Sequence, residues 1–222
     1  MLIKEFCAEN MTLVPAAVAS GAQRIELCDN LAVGGTTPSY GVIKSSASFA
    51  RAHDVKVMTM VRPRGGSFVY DEPEAHIMLE DIACARELGV SGVVFGCLRH
   101  NEAGCLSLDE ELTKRLVDAA KESRNVAPLA VTFHMAFDAM AEQEQFRAVN
   151  TLADLGVERI LTHGGPLSTP IVDNIPHLQK LIAHARGRIA ILPGGGISWK
   201  NAKDIAKLLG VCEVHGSKVV CI

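Results

Sequence analysis

The sequence has no apolar run approaching the roughly 18 residues that a membrane-spanning helix needs. Its opening, MLIKEFCAEN, lacks the basic and apolar blocks of a secretory signal. Neither charge is in excess: 22 Lys and Arg stand against 25 Asp and Glu, a net charge of −3. That balance argues against the broad basic field used to hold nucleic acid or an anionic membrane. The seven cysteines are an odd number without disulfide-scaffold spacing. Free thiols in a reducing, cytoplasmic setting are therefore expected. No glycine fingerprint of the dinucleotide type follows the first predicted strand. No Walker-type lysine follows any glycine-rich run, which argues against handling of nucleoside triphosphates.

What is present is an ordinary globular composition, 48% hydrophobic and 21% charged over 222 residues. No linker or low-complexity segment interrupts it, so one domain over residues 1–222 is expected. Four segments resemble one another: GAQRIELC from Gly21, GVSGVVFG from Gly89, GVERILTHGG from Gly156 and GVCEVHGS from Gly210. Each starts with a glycine suited to end a helix in a left-handed cap, and then enters a strand. Further strands are predicted over 2–7, 56–62, 129–134 and 189–193, giving eight.

Helical patterns fill the gaps over 12–20, 39–53, 74–88, 109–122, 142–155, 171–186 and 199–209. Ser107 with Glu110 has the form of a capping box, and Ser198 suits the N-cap of the last helix. Strict strand–helix alternation with eight strands predicts a TIM-type (β/α)8 barrel. The long loops leaving strands, over 29–38, 63–73 and 97–106, fall on the face where such barrels carry function. Only six residues follow the predicted eighth strand, so the barrel is expected to lack its last helix. The outer faces of the first and eighth strands, with Phe6, Val214, Val219 and Val220, are then expected to lie open. A homodimer is the commonest way to cover such a patch.

Alternation along the strands places chemistry-bearing residues on shared faces. Glu5 pairs with Cys7 in this sense, Glu26 with Cys28, Thr132 with His134, and Glu213 with His215. Cys7, Cys28, Arg62, His134, Thr162 and His215 each end a strand, which points to a common centre, with Asp138 shortly after His134. Burying so many ionisable groups is costly unless they pair or bind something. One reading is an ion-pair network in which Arg24 or Arg62 meets Glu26. The other is a site, with His134, Glu5, Glu26, Asp138 and His215 as acid–base groups and Arg62 holding an anion. Cys7 and Cys28, ending neighbouring strands, could grip a soft ion such as Cu(I), or pack as inert small hydrophobes. Gly194, Gly195, Gly196 and Ser217 suit a phosphate cradle, or serve only to turn the chain. Cys97, His100 and Cys105 lack a fourth ligand and read as chance loop residues.

Taken together, the stretches GAQRIELC, GGTTPSYG, MVRPRGG, TFHMAFD, LPGGGI and EVHGS resemble the CutC copper-homeostasis family over nearly the whole chain. The resemblance implies a TIM-type barrel, a cytoplasmic location, frequent dimerisation and a role in copper tolerance. It also implies Cu(I) binding at the positions of Cys7 and Cys28. The sequence departs from the family pattern at Ser67, Met135 and His163, where aspartate, arginine and serine are usual. The alternative is an enzyme acting on a small anionic or phosphorylated metabolite.

Overall fold

The computed structural model describes residues 1–122 and 127–222. In chain order the elements are β1 (Ile3–Glu9), α1 (Val14–Ala19), β2 (Arg24–Cys28), α2 (Tyr40–Ala52), β3 (Lys56–Met60) and α3 (Glu72–Glu87). Next come β4 (Gly92–Phe95), β5 (Leu98–His100), β6 (Leu106–Leu108), α4 (Glu110–Lys121), β7 (Ala130–Phe133) and α5 (Glu142–Asp154). The chain ends with β8 (Arg159–Thr162), α6 (Ile175–Ala185), β9 (Ala190–Pro193), α7 (Ala202–Leu209) and β10 (Glu213–Gly216).

Eight strands form one parallel sheet in the order β10-β1-β2-β3-β4-β7-β8-β9. The ring nearly closes between β9 and β10, where Trp199 N donates to Lys218 O at 2.7 Å beside a parallel bridge. This is the predicted TIM-type barrel, with seven α-helices around it among the described residues. Alternate strand residues, among them Phe6, Ile25, Phe95, Val131 and Phe133, pack outward into the helices and are almost wholly buried. Burial of each such side chain is worth about 1.5–3 kcal/mol. The helices answer with apolar stripes: in α4, Leu112, Leu116, Val117 and Ala120 recur at helical spacing and face this layer. Inside the ring, Cys28, Met58, Met60 and Val94 make a small separate cluster, against which Cys7, Leu31 and Ala130 pack.

Local chemistry moved several predicted boundaries. Asp109, not Ser107, caps α4, accepting from Leu112 N at 3.0 Å. Ser107 is instead part of β6, which pairs antiparallel with β5 in a hairpin laid over the predicted long loop. The carboxylate is the stronger acceptor for an open helix N-terminus, and it lies one residue before the helix. The start of α3 also moves earlier, because Asp71 and Glu74 form a reciprocal capping box. The last helix begins after Asn201, while Ser198 opens a preceding turn in which its carbonyl accepts from Ala202 N. A 3-10 turn over Ile171–Asn174 precedes α6.

No helix follows β10 among the described residues, as expected. The expected open patch, however, is absent. Phe6, Val214, Val219 and Val220 are each at most 2% exposed. The tail folds back so that Val219 and Val220 join the same core as Phe6, filling part of the space of a helix. The argument for a dimer from an uncovered face therefore falls away. No described helix is long and apolar enough to cross a membrane.

Candidate functional site

The strands β10, β1 and β2 lie side by side, and their inward residues form the floor of the site. In the ladder Glu5 stands opposite both Arg24 and His215, and Cys7 opposite Glu26. Parallel register thus puts the imidazole level with one carboxylate and the thiol level with another, two residues further along β1. Cys28 lies opposite Glu9, two residues further along β2 than the partner of Cys7.

Hydrogen bonds tie these groups into a chain. Glu5 takes a short bond from Arg24 Nε, and its Oε1 lies 2.8 Å from His215 Nδ1. Arg24 also donates to Glu213 at 2.5 Å. The ion-pair reading thus holds for Arg24, but with Glu5 and Glu213 as its partners rather than Glu26. His215 Nε2 lies 3.6 Å from Glu26 Oε2, and Cys28 Sγ lies 3.7 Å from that same oxygen. Glu26 Oε1 is buried without a partner.

Burial by itself would raise the Glu5 pKa, but the bond to His215 and the charge of Arg24 overcome it and hold this carboxyl at about 2. Glu26 has no such cation bonded to it. Burial pushes it well above the usual range, only partly opposed by His215. Burial also disfavours a charged His215, yet the neighbouring Glu26, Cys7 and Glu5 reverse that and raise its pKa. The Cys7 thiol is pushed well down, first by its hydrogen bond with Cys28, against burial, and then by His215. Cys28 is pushed up as the donor of that bond, and by burial. The pair therefore consists of one sulfur that ionises readily and one that keeps its proton.

Above this floor a cavity of about 640 Å3 opens at the C-terminal ends of the strands. Cys7, Glu26 and His215 line its base, His134 and Phe68 one wall, and Gly195, Gly196, Ser217 and Lys218 another. His134 is 5% exposed, its Nδ1 accepts from Ala136 N at 3.1 Å, and its Nε2 has no partner. Burial and the nearby Arg62 charge depress its pKa to about 3, so it is a neutral ring near pH 7.

Other candidates lie elsewhere. Arg62 is buried, but its guanidinium donates to the carbonyls of Val33, Gly35 and Gly66, so it braces two loops and meets no carboxylate. Asp138 accepts from Thr162 and from the backbone of His163 and Gly164, anchoring the loop after β8. Thr162 is occupied by that anchor, and Leu161, its neighbour of opposite parity, lines the cavity instead. Gly194 is not in the lining, though a side chain there would strike Leu161 and His215. Sequence reasoning missed Phe68, Leu161 and Lys218. The signal for Lys218 was its place directly after Ser217 on the loop leaving the last strand.

Soft thiolate chemistry suits Cu(I), and Cys7 at the cavity base, with the buried Cys28 on the neighbouring strand, is the sulfur that could meet such an ion. Cys97, His100 and Cys105 form no metal-binding group among the described residues, and His100 Nδ1 is bonded to Gly104 O instead.

The model of the CutC family matches residues 2–220. A CutC family protein of Enterococcus faecalis is 54% identical over 219 residues, covering 99% of this chain and 100% of that one. One from Streptococcus pyogenes is 44% identical over 219 residues, with the same coverage. A crystal structure of CutC from Streptococcus agalactiae superposes with a TM-score of 0.91 at 41% identity. It covers 99% of this chain and 100% of that one.

Proposed function

We propose that this chain, which belongs to the CutC family, serves copper homeostasis in the cytoplasm by taking up Cu(I) as cargo at Cys7 and Cys28. The observation that supports this reading is the pair of strand-end thiols, with Cys7 lining the base of an open cavity and Cys28 buried beside Glu26 behind it. Cys7 is the one partly exposed to that cavity, while Cys28 is fully buried behind it. A thiolate with a second sulfur alongside is a donor pair for a soft monovalent ion. The protein should therefore hold Cu(I) against a competing chelator, and the double variant Cys7→Ser with Cys28→Ser should bind at least 10-fold more weakly. Equal affinity in the double variant would reject the reading.

A second reading is favoured by the cavity itself, which is far larger than one ion requires. An unpartnered His134 Nε2, a carboxyl at Glu26 that burial keeps protonated, and Lys218 at the wall suit an enzyme acting on a small anionic metabolite. In this reading Gly195, Gly196, Ser217 and Lys218 receive the anion, and His134 or Glu26 moves the proton. Arg62 is given no part in it, since both of its terminal nitrogens donate to loop carbonyls. A thermal-shift screen with phosphorylated and carboxylated metabolites tests it, because a ligand that binds the folded state raises the melting temperature.

A further inference from the structure

We infer that Cys7, Glu26 and His215 form a three-ligand site for a divalent first-row ion of borderline softness, Zn(II) being the type, with a fourth position open to the cavity. The inference shares Cys7 with the copper reading but does not depend on copper. One ligand atom from each of the three lies within 4.8 Å of the others. Among the described residues no other group of His, Cys, Asp and Glu does this. Cys28 lies outside the group, although it is close to Glu26.

The one direct separation of nitrogen from oxygen in the group is closer to that of two ligands than to that of a hydrogen bond. His215 Nε2 and Glu26 Oε2 are 3.6 Å apart, too far for a good hydrogen bond. Two ligands on a tetrahedral ion, at bond lengths near 2.0 Å, would sit about 3.3 Å apart. Glu26 Oε1 is buried without a partner, so this carboxylate is not satisfied by the protein alone. The outer contacts are also those of a metal centre. His215 Nδ1 is bonded to Glu5, which fixes the ring so that Nε2 faces Glu26, the arrangement in which a carboxylate orients a metal-binding histidine. Glu5 is itself held by Arg24. A thiolate and a carboxylate together neutralise a divalent charge, which removes much of the cost of burying it. Cu(I) has little use for the carboxylate oxygen, whereas a borderline ion takes sulfur, nitrogen and oxygen together. All three residues line the cavity, so the remaining coordination position faces it. Three protein ligands with one open position is the pattern of catalytic rather than structural zinc.

Cobalt(II) is the probe, because its spectrum reports both sulfur ligation and coordination number. The 222-residue chain, stripped of metal and kept reduced, should bind one equivalent. It should show a thiolate-to-cobalt charge-transfer band with the intense visible bands of four-coordination, and Zn(II) should bleach both. Cys7→Ser should abolish the charge-transfer band. His215→Ala and Glu26→Gln should each weaken binding at least 10-fold, and Cys28→Ser should keep both spectrum and affinity. Glu5→Gln, which leaves the three ligands in place, should weaken binding 10- to 100-fold without removing the charge-transfer band. Circular dichroism on every variant separates lost ligation from lost fold. Should Cys7→Ser or His215→Ala unfold, the intact protein and Cys28→Ser still decide. No charge-transfer band in the intact protein, or a band lost in Cys28→Ser, overturns the inference. Cobalt binding that persists where Cu(I) binding fails would reject the copper reading and leave this one standing.

Discussion

Glu5 stands opposite His215 in the ladder that joins the first and last strands of the barrel, and its Oε1 lies 2.8 Å from the ring Nδ1. The other oxygen of the same carboxylate takes Arg24. One buried anion therefore compensates a guanidinium and also sets the direction in which an imidazole faces the cavity.

Removing that anion should be costly. Breaking one side of a buried ion pair leaves the other charge uncompensated and typically costs 3–5 kcal/mol. Glu5→Gln keeps the shape and loses the charge, while Arg24 retains Glu213. A loss of about 3 kcal/mol in urea unfolding is expected. A loss below about 1 kcal/mol, no more than an exposed pair contributes, would show that this network does not hold the barrel together.

Acid should weaken the protein through His134 before it reaches Glu5. The ring is buried and neutral, with a pKa of about 3 against an ordinary value of 6.5. The unfolded chain therefore binds a proton that the folded one refuses, so stability falls as pH drops from 6.5 towards 3. The slope from this group approaches about 1.4 kcal/mol per pH unit. Glu5, at about 2 against 4.5, adds its own loss only below about pH 4.5. His134→Gln should flatten the curve between pH 6 and 5 on the scale of those limits. An unchanged slope in that window would assign the acid sensitivity to another group.

Two glycine substitutions should have opposite signs. A methyl on Gly92 would lie 2.4 Å from both Ala130 O and the Met58 side chain, with the backbone atom unable to yield cheaply. Gly92→Ala should cost about 1–3 kcal/mol, as overpacking does. Gly41 lies in the first turn of α2 with nothing within 4 Å of an added methyl. Gly41→Ala should stabilise by up to about 1 kcal/mol. Thermal melts of the two variants check both signs at once.

The barrel and the side-chain faces were legible in the sequence because both follow from simple periods. Alternation at two residues places Glu5 with Cys7 and Glu26 with Cys28 whatever the neighbours do. Register is different. Whether Cys7 meets Cys28 or Glu26 across the ladder depends on the stagger of the whole ring, which no single strand encodes. Thr162 stood in for Leu161 through a mistaken face: Arg159 and Leu161 point into the ring, so Thr162, of opposite parity, does not. The loop contacts of Arg62 and Asp138 were not legible for another reason: Arg62 bonds to carbonyls of distant loops and Asp138 to Thr162 and the backbone after it, which a list of side chains does not reveal. The tail was misread because Val219 and Val220 look like too little to replace a helix, yet they suffice to bury Phe6.

The closure between β1 and β10 also has a consequence in time. Glu5 and His215 are 210 positions apart. At roughly 5–20 residues per second of synthesis, the carboxylate exists about 10–40 s before its imidazole. For most of that interval, once residues 24–28 have been made, the first strand has β2 on one side and an open hydrogen-bonding edge on the other, the kind of edge that invites association with other chains. Glu5 and Arg24 can meet early, and Cys7 can meet Glu26. The ring nitrogen that completes the site arrives only with the final strand, so no nascent chain halted before residue 215 can assemble the set of three ligands.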